Sequence, residues 1–66
     1  MELVKSIKVD NECTLKVERT SSTWFVTMYG TYDDGTTWSN AHYAVDTERK
    51  ALNGFRKICK CLNINY

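Results

Sequence analysis

The stretch that decides the fold is WFVTMYGTYDDGTTWSNAHYAV, residues 24–45. Apolar and polar residues alternate on both sides of its centre, and an Asp-Gly pair between two such runs is a strong β-hairpin signal. It predicts two antiparallel strands, Trp24–Tyr32 and Thr36–Val45, joined by a two-residue type I′ turn at Asp34-Gly35. The pairs in this register are Trp24 with Val45, Val26 with Tyr43, Met28 with Ala41, and Thr31 with Trp38.

The register divides the hairpin side chains between two faces, because residues directly opposite one another share a face. An apolar set predicts the core face: Trp24, Val26, Met28, Ala41, Tyr43 and Val45. The other face mixes aromatic and polar side chains: Phe25, Thr27, Tyr29, Thr31, Trp38, Asn40 and His42. A tryptophan among polar side chains is a candidate contact for a partner, since Trp is enriched at binding hot spots. The alternative is a tryptophan packed beneath a loop or helix.

Two further strands are predicted ahead of the hairpin, over Glu2–Val9 and Cys13–Glu18, because apolar and polar residues alternate there. Lys5 and Val4 interrupt the alternation of the first strand. Asp10-Asn11-Glu12 supplies turn chemistry between the two strands, so they are expected to form a hairpin of their own.

After Val45 the apolar period changes from two to about 3.6, which predicts an amphipathic helix over Asp46–Lys57, capped by Asp46 or Thr47. Its apolar stripe consists of Ala51, Leu52, Phe55, Ile58, Cys59 and Leu62. Gly54 indicates either a close approach to the sheet or a shorter helix. Residues 58–66 also alternate, which predicts a short terminal strand or an extended tail. The fold class is a single α+β domain over residues 1–66, with an antiparallel sheet of about four strands and one C-terminal helix.

Composition and charge limit the functions that this chain can have. With 66 residues, 42% of them hydrophobic, and no proline, the chain is expected to be one small globular domain without a membrane span or a signal peptide. Residues 1–45 hold six acids and four bases, whereas residues 46–66 hold two acids and five bases. A basic helix is therefore expected on a slightly acidic sheet, as a solvated helix face or as a contact for nucleic acid or an acidic protein.

The cysteines indicate packing rather than chemistry. Three of them, Cys13, Cys59 and Cys61, are an odd number, which favours a reducing cytosol over a disulfide framework. Cys-x-Cys with the single His42 is a poor match to zinc-ligand spacing, so we expect buried structural thiols and no metal or other cofactor. No nucleophile and base pair can be assembled around one histidine, so we expect no enzyme.

Several short motifs carry a family resemblance. They are, in chain order, Met1-Glu2-Leu3-Val4-Lys5, Thr27-Met28, Asp33-Asp34, Trp38, Tyr43-Ala44, Lys50-Ala51-Leu52, Phe55, Lys57 and Cys59. In this order the chain resembles the Dmd family of T-even phage antitoxins, which neutralise host RNase toxins of the RnlA and LsoA type. The resemblance implies a phage protein in the host bacterial cytoplasm that blocks the substrate groove of such a toxin. The family's key tryptophan falls on Trp38.

Two function hypotheses follow. The first is a protein inhibitor, monomeric when free, in which Trp38 and Tyr29 anchor the toxin and the acidic hairpin tip meets basic RNA-binding residues. Its expected partner-binding residues are Tyr29, Thr31, Asp33, Asp34, Trp38, Asn40 and His42. The second is a nucleic-acid-binding module, with Phe25, Tyr29 and Trp38 as a stacking face and a basic helix. Near-zero net charge and the acids at the hairpin tip favour the first hypothesis.

Overall fold

The computed structural model describes residues 1–66 and contains four strands followed by one helix. The strands are β1 (Glu2–Lys8), β2 (Cys13–Arg19), β3 (Trp24–Thr31) and β4 (Thr37–Val45), and the helix is α1 (Glu48–Cys61). All neighbouring strands are antiparallel, in the order β1-β2-β3-β4. The predicted α+β class and both hairpins are confirmed. The helix is neither long enough nor apolar enough to cross a lipid bilayer.

A single core lies between α1 and one side of the sheet. Six hydrophobic side chains are fully buried there: Leu15, Val17, Val26, Ala51, Phe55 and Cys59. Three of them lie on the sheet and three on the helix, so the predicted apolar stripe does pack on the strands. We call the side of the sheet that α1 covers the helix side, and the opposite side the open side.

The interrupted alternation in β1 is a β-bulge. The register shifts between Leu3 and Lys5, which leaves Val4 as the extra residue on this edge strand. Val4 packs against the core, and Lys5 places its Nζ atom 5.1 Å from the centroid of the Phe55 ring. The lysine that interrupts the apolar row thus places its ammonium group over the ring of a core phenylalanine, a cation–π contact.

The helix begins where the sequence predicts and ends later. Thr47 is the N-cap, and its side chain accepts a 3.2 Å hydrogen bond from the Lys50 amide. The predicted end at Lys57 is wrong, because α1 continues to Cys61. Asn63 then adopts a left-handed conformation with φ of 55°, and Ile64 N–H donates to the Cys59 carbonyl at 2.9 Å. These features form a Schellman motif.

The C-terminal tail folds back on the core instead of forming a strand. Ile64 packs against the core cluster, and the Tyr66 ring meets the Phe55 ring edge-on at 6.4 Å. The expected terminal strand is therefore not present, because the residues after α1 pair with the end of the helix rather than with the sheet. Gly54 marks the close approach that its presence predicted, since a Cβ there would lie 2.7 Å from Tyr43 Cδ2.

Candidate protein-binding surface

The β3–β4 hairpin closes through a three-residue loop, Asp33-Asp34-Gly35. Gly35 N–H donates to the Tyr32 carbonyl at 2.9 Å, and Tyr32 N–H donates to the Thr36 carbonyl at 2.8 Å. Gly35 has a φ of +88°, the left-handed position that such loops reserve for glycine. The predicted two-residue turn at Asp34-Gly35 is therefore wrong, and Tyr32 pairs with Thr36.

This change of loop moves the register of the upper hairpin by one residue. Trp38 pairs with Gly30 rather than Thr31, and Asn40 rather than Ala41 pairs with Met28. A second register shift, closer to the core, returns the remaining pairs of β3 and β4 to the predicted register. The register shifts between Val26 and Thr27, so that His42 becomes an extra residue on β4. The predicted pairs Trp24 with Val45 and Val26 with Tyr43 are confirmed.

Trp38 lies on the helix side of the sheet, not on the open side. Its indole rests on Gly30, where a Cβ atom would come within 2.2 Å of Trp38 Cε2. The side chain is half-buried as a result. Asn40 shares this side because it is paired with Met28, whereas Ala41, paired with Thr27, moves to the open side. The predicted faces of Trp38, Asn40 and Ala41 are wrong because one extra loop residue inverts every side chain up to the next bulge.

A shallow groove of about 280 Å³ lies between β4 and the C-terminal half of α1, farther along β4 from Trp38. Its lining is mostly apolar: Met28, His42, Tyr43, Lys57, Ile58, Cys61 and Leu62. His42 therefore also faces the helix side. Trp38 stands two residues along β4 from Asn40, a step of about 7 Å. We call Trp38, Asn40 and this groove together the α1–β4 surface.

Tyr29 and Thr31 remain on the open side, away from Trp38. Tyr29 donates a hydrogen bond to Glu18 Oε1, and Lys16 Nζ lies 4.9 Å from the centroid of the tyrosine ring. The hydrogen bond to Glu18, followed by partial burial, raises the pKa of Tyr29 above its usual value of 10.0. Thr31 is exposed and paired with Thr37. The sheet itself thus separates these two residues from Trp38, Asn40 and His42.

Asp33 and Asp34 form the exposed tip of the hairpin. Asp34 Oδ1 accepts hydrogen bonds from the Thr36 hydroxyl at 2.7 Å and the Thr36 amide at 3.0 Å. These bonds, the hydroxyl first, lower the pKa of Asp34 below its usual value of 3.8. Asp34 therefore stays ionised throughout the physiological range.

The turn between β1 and β2 adds two more acids at the same end of the sheet. Thr31 N–H donates to the Glu12 carbonyl at 3.0 Å, which brings the turn containing Asp10 and Glu12 beside the hairpin. The two salt bridges of the chain, Arg19 with Glu2 and Lys50 with Asp46, involve none of these four carboxylates. None of these four carboxylates therefore forms a salt bridge, and we call this end of the sheet the acidic end.

The cysteines do not converge. Cys59 is buried in the core, Cys13 is half-buried and Cys61 is exposed. The prediction of a buried structural thiol is confirmed for Cys59 and wrong for Cys61, which the longer helix carries to the rim of the groove. Burial raises the pKa of both Cys13 and Cys59, so their thiols stay protonated at neutral pH. No three His, Cys, Asp or Glu side chains come close enough to hold a metal ion.

The groove and the contact of Trp38 with Gly30 were not predicted from the sequence. Gly30 was the available signal, because glycine inside a strand marks a bulge or a close approach of other atoms. The Asp-Asp-Gly triplet also fits a three-residue loop with glycine in third place. Comparisons with protein-family models, with curated proteins and with solved structures give no match for this chain.

Proposed function

We propose that this chain is a protein inhibitor of a host endoribonuclease toxin of the RnlA or LsoA type, encoded by a phage and acting in the host cytoplasm. The observation that carries the proposal is that the acidic end lies next to two aromatic residues that solvent reaches, Tyr32 and Trp38. Four carboxylates without salt bridges lie where β1–β2 and β3–β4 turn, and Tyr32, at the hairpin tip, is 59% exposed. Trp38 follows the tip on β4. The groove of a ribonuclease binds RNA phosphates through basic residues and RNA bases through stacking. A surface with carboxylates and aromatic side chains is complementary to such a groove.

The α1–β4 surface supplies the apolar part of this contact. Trp38 is half-buried on Gly30, so its indole is held in one place before binding and little conformational entropy remains to be lost. The groove farther along β4, between β4 and α1, is lined mostly by apolar residues and accepts an apolar side chain of the partner. Tyr29 and Thr31 lie on the open side of the sheet and are therefore not part of the proposed toxin contact. The proposed binding surface thus contains fewer residues than the sequence predicted.

The nucleic-acid-binding alternative loses its geometric basis. Phe25 and Tyr29 lie on the open side, whereas Trp38 and the basic helix lie on the helix side. A single-stranded nucleic acid stacked on Phe25 could not also contact the α1 cations, because the sheet separates them. Tyr29 is in addition bound to a carboxylate, Glu18, which repels phosphates. The inhibitor is therefore the better supported function.

Binding titrations with a purified toxin of this type test the proposal. Trp38→Ala is expected to weaken binding at least about 30-fold, the scale of a hot-spot residue. Asp33→Asn with Asp34→Asn is expected to slow association about tenfold at low salt and less at high salt, because charge steering is screened. Glu2→Gln with Glu48→Gln is the control, since it removes the same charge from the start of β1 and the start of α1, away from the acidic end. Equal effects of both double variants would contradict a role for the acidic end.

A further inference from the structure

The two edges of the sheet differ in how they are protected. β1 carries Glu2, Lys5 and Lys8 together with its bulge at Val4, the charged and irregular features that keep edge strands from pairing. β4 runs for nine residues, Thr37–Val45, without a charged residue or a proline. Its only irregularity lies at His42, which leaves the first half of the strand regular. This half is a free edge.

The hydrogen-bond pattern identifies the free backbone groups of this edge. Tyr32 N–H bonds to the Thr36 carbonyl, so Thr36 faces β3, and pairs in an antiparallel ladder alternate from that point. Trp38 and Asn40 therefore direct their amide and carbonyl groups toward β3. Thr37, Ser39 and Ala41 direct theirs outward. The bond from Thr31 N–H to Glu12 agrees with this alternation, because it shows that Thr31, the partner of Thr37, faces β2.

We propose that the Thr37–Ala41 edge pairs with the same edge of a second copy of this chain. A two-fold axis at Ser39 places Ser39 opposite its counterpart and Thr37 opposite Ala41 of the partner copy. The three outward-facing residues of each chain then exchange about six backbone hydrogen bonds, and the two sheets join into one of eight strands. The evidence for this pairing does not rest on the proposed toxin contact.

Charge and size favour a second copy over an unrelated strand. In an antiparallel pair of identical strands the residue on the two-fold axis meets its own copy, so a charged residue there is repelled, whereas an uncharged residue such as Ser39 meets no such penalty. Thr37, Ser39 and Ala41 are also small, so the side chains that share the open side at the junction do not collide.

The contact is short, so the dimer is weak. A five-residue strand pair buries less than the roughly 1,200 Å² of a stable interface, which places it among transient contacts. At low protein concentration the chain is then the monomer that the sequence predicts, and it dimerises only at high local concentration. In the dimer Trp38 lies opposite Asn40 of the partner copy on the helix side, so self-association and use of Trp38 by a toxin compete.

Sedimentation equilibrium across concentrations tests the pairing. The mass is expected to rise from 7.7 kDa at about 10 µM toward twice that value at about 1 mM, the range of a weak contact. Amide exchange gives the residue-specific result. The Thr37, Ser39 and Ala41 amides are expected to slow with concentration, whereas the Trp38 and Asn40 amides stay protected throughout. A constant mass, or an exchange change confined to other residues, overturns the proposal.

Charge substitution at the axis supplies a matched pair of variants. Ser39→Lys and Ser39→Glu are each expected to remain monomeric, because like charges meet at the axis, with thermal melts that stay near wild type since Ser39 is exposed. An equimolar mixture of the two variants is expected to dimerise again, because opposite charges then meet. Dimers that persist in either variant alone, or a mixture of folded variants that stays monomeric, would overturn the Ser39 axis.

Discussion

The contact between Gly30 and Trp38 can be tested by adding one methyl group. In Gly30→Ala the new Cβ would lie 2.2 Å from Trp38 Cε2, so the indole must be displaced or the strands must shift. Overpacking of this kind costs about 1–3 kcal/mol. With the indole removed, in a Trp38→Ala background, the same substitution meets no such obstacle. It is then expected to stabilise by about 0.5–1 kcal/mol, because alanine is preferred to glycine inside a strand.

The expected result is therefore a change of sign between the two backgrounds. Urea unfolding followed by circular dichroism on the wild type, both single variants and the double variant gives the coupling energy. We expect it to be about 2 kcal/mol or more, as for residues in direct contact. If Gly30→Ala stabilised the wild-type protein, the indole would not rest on Gly30, and the two-residue turn with Trp38 on the open side would be correct instead.

Four further outcomes are expected from the fold. Phe55→Ala should destabilise by about 3–5 kcal/mol in urea unfolding, because the ring is fully buried, and a loss under half a kcal/mol would remove it from the core. Thr47→Ala should cost about 1 kcal/mol through loss of the N-cap bond, whereas no change would place the start of the helix elsewhere. Asn63→Ala should destabilise by roughly 1 kcal/mol while Asn63→Gly does not, because only glycine adopts the left-handed conformation without strain; equal melts would argue against the Schellman motif. The pKa of Tyr29 is higher in the folded chain than in the unfolded one, so the stability that it contributes is full below pH 10.0 and is lost as the pH rises through the folded pKa. Tyr29→Phe should therefore reduce the loss of stability at alkaline pH. An unchanged pH profile would show that the bond to Glu18 does not form.

Periodicity predicted most of the fold because the residues that set it are local. The alternating strands, the period change after Val45 and the cap at Asp46 or Thr47 each depend on a few neighbouring residues. All three are found in the structure, with Thr47 as the cap. The end of α1 was ambiguous because residues 58–62 satisfy both periods. Asn63 and Ile64 decide between them through the Schellman motif, which uses backbone bonds that the apolar pattern does not encode.

The candidate site was less predictable because a face assignment depends on counting residues through a turn. One extra residue in the Asp33-Asp34-Gly35 loop moved Trp38 to the other side of the sheet, and the extra residue at His42 hid the change nearer the core. Trp38 is partly exposed in the structure, and its role as a contact for a partner stays a prediction. Because its indole rests on Gly30, Trp38→Ala is expected to lower the free energy of unfolding by about 2 kcal/mol.

Displacement of RNA from the toxin tests the central claim most directly. Fluorescent RNA bound to a catalytically inactive toxin of the RnlA or LsoA type is titrated with this protein, and the anisotropy reports whether the RNA stays bound. We expect the RNA to be released at one molecule of this protein per toxin, with weaker release by Trp38→Ala and wild-type release by Thr31→Ala on the open side. RNA that stays on the toxin in the presence of excess protein, or that moves onto this protein itself, would contradict an inhibitor that occupies the substrate groove.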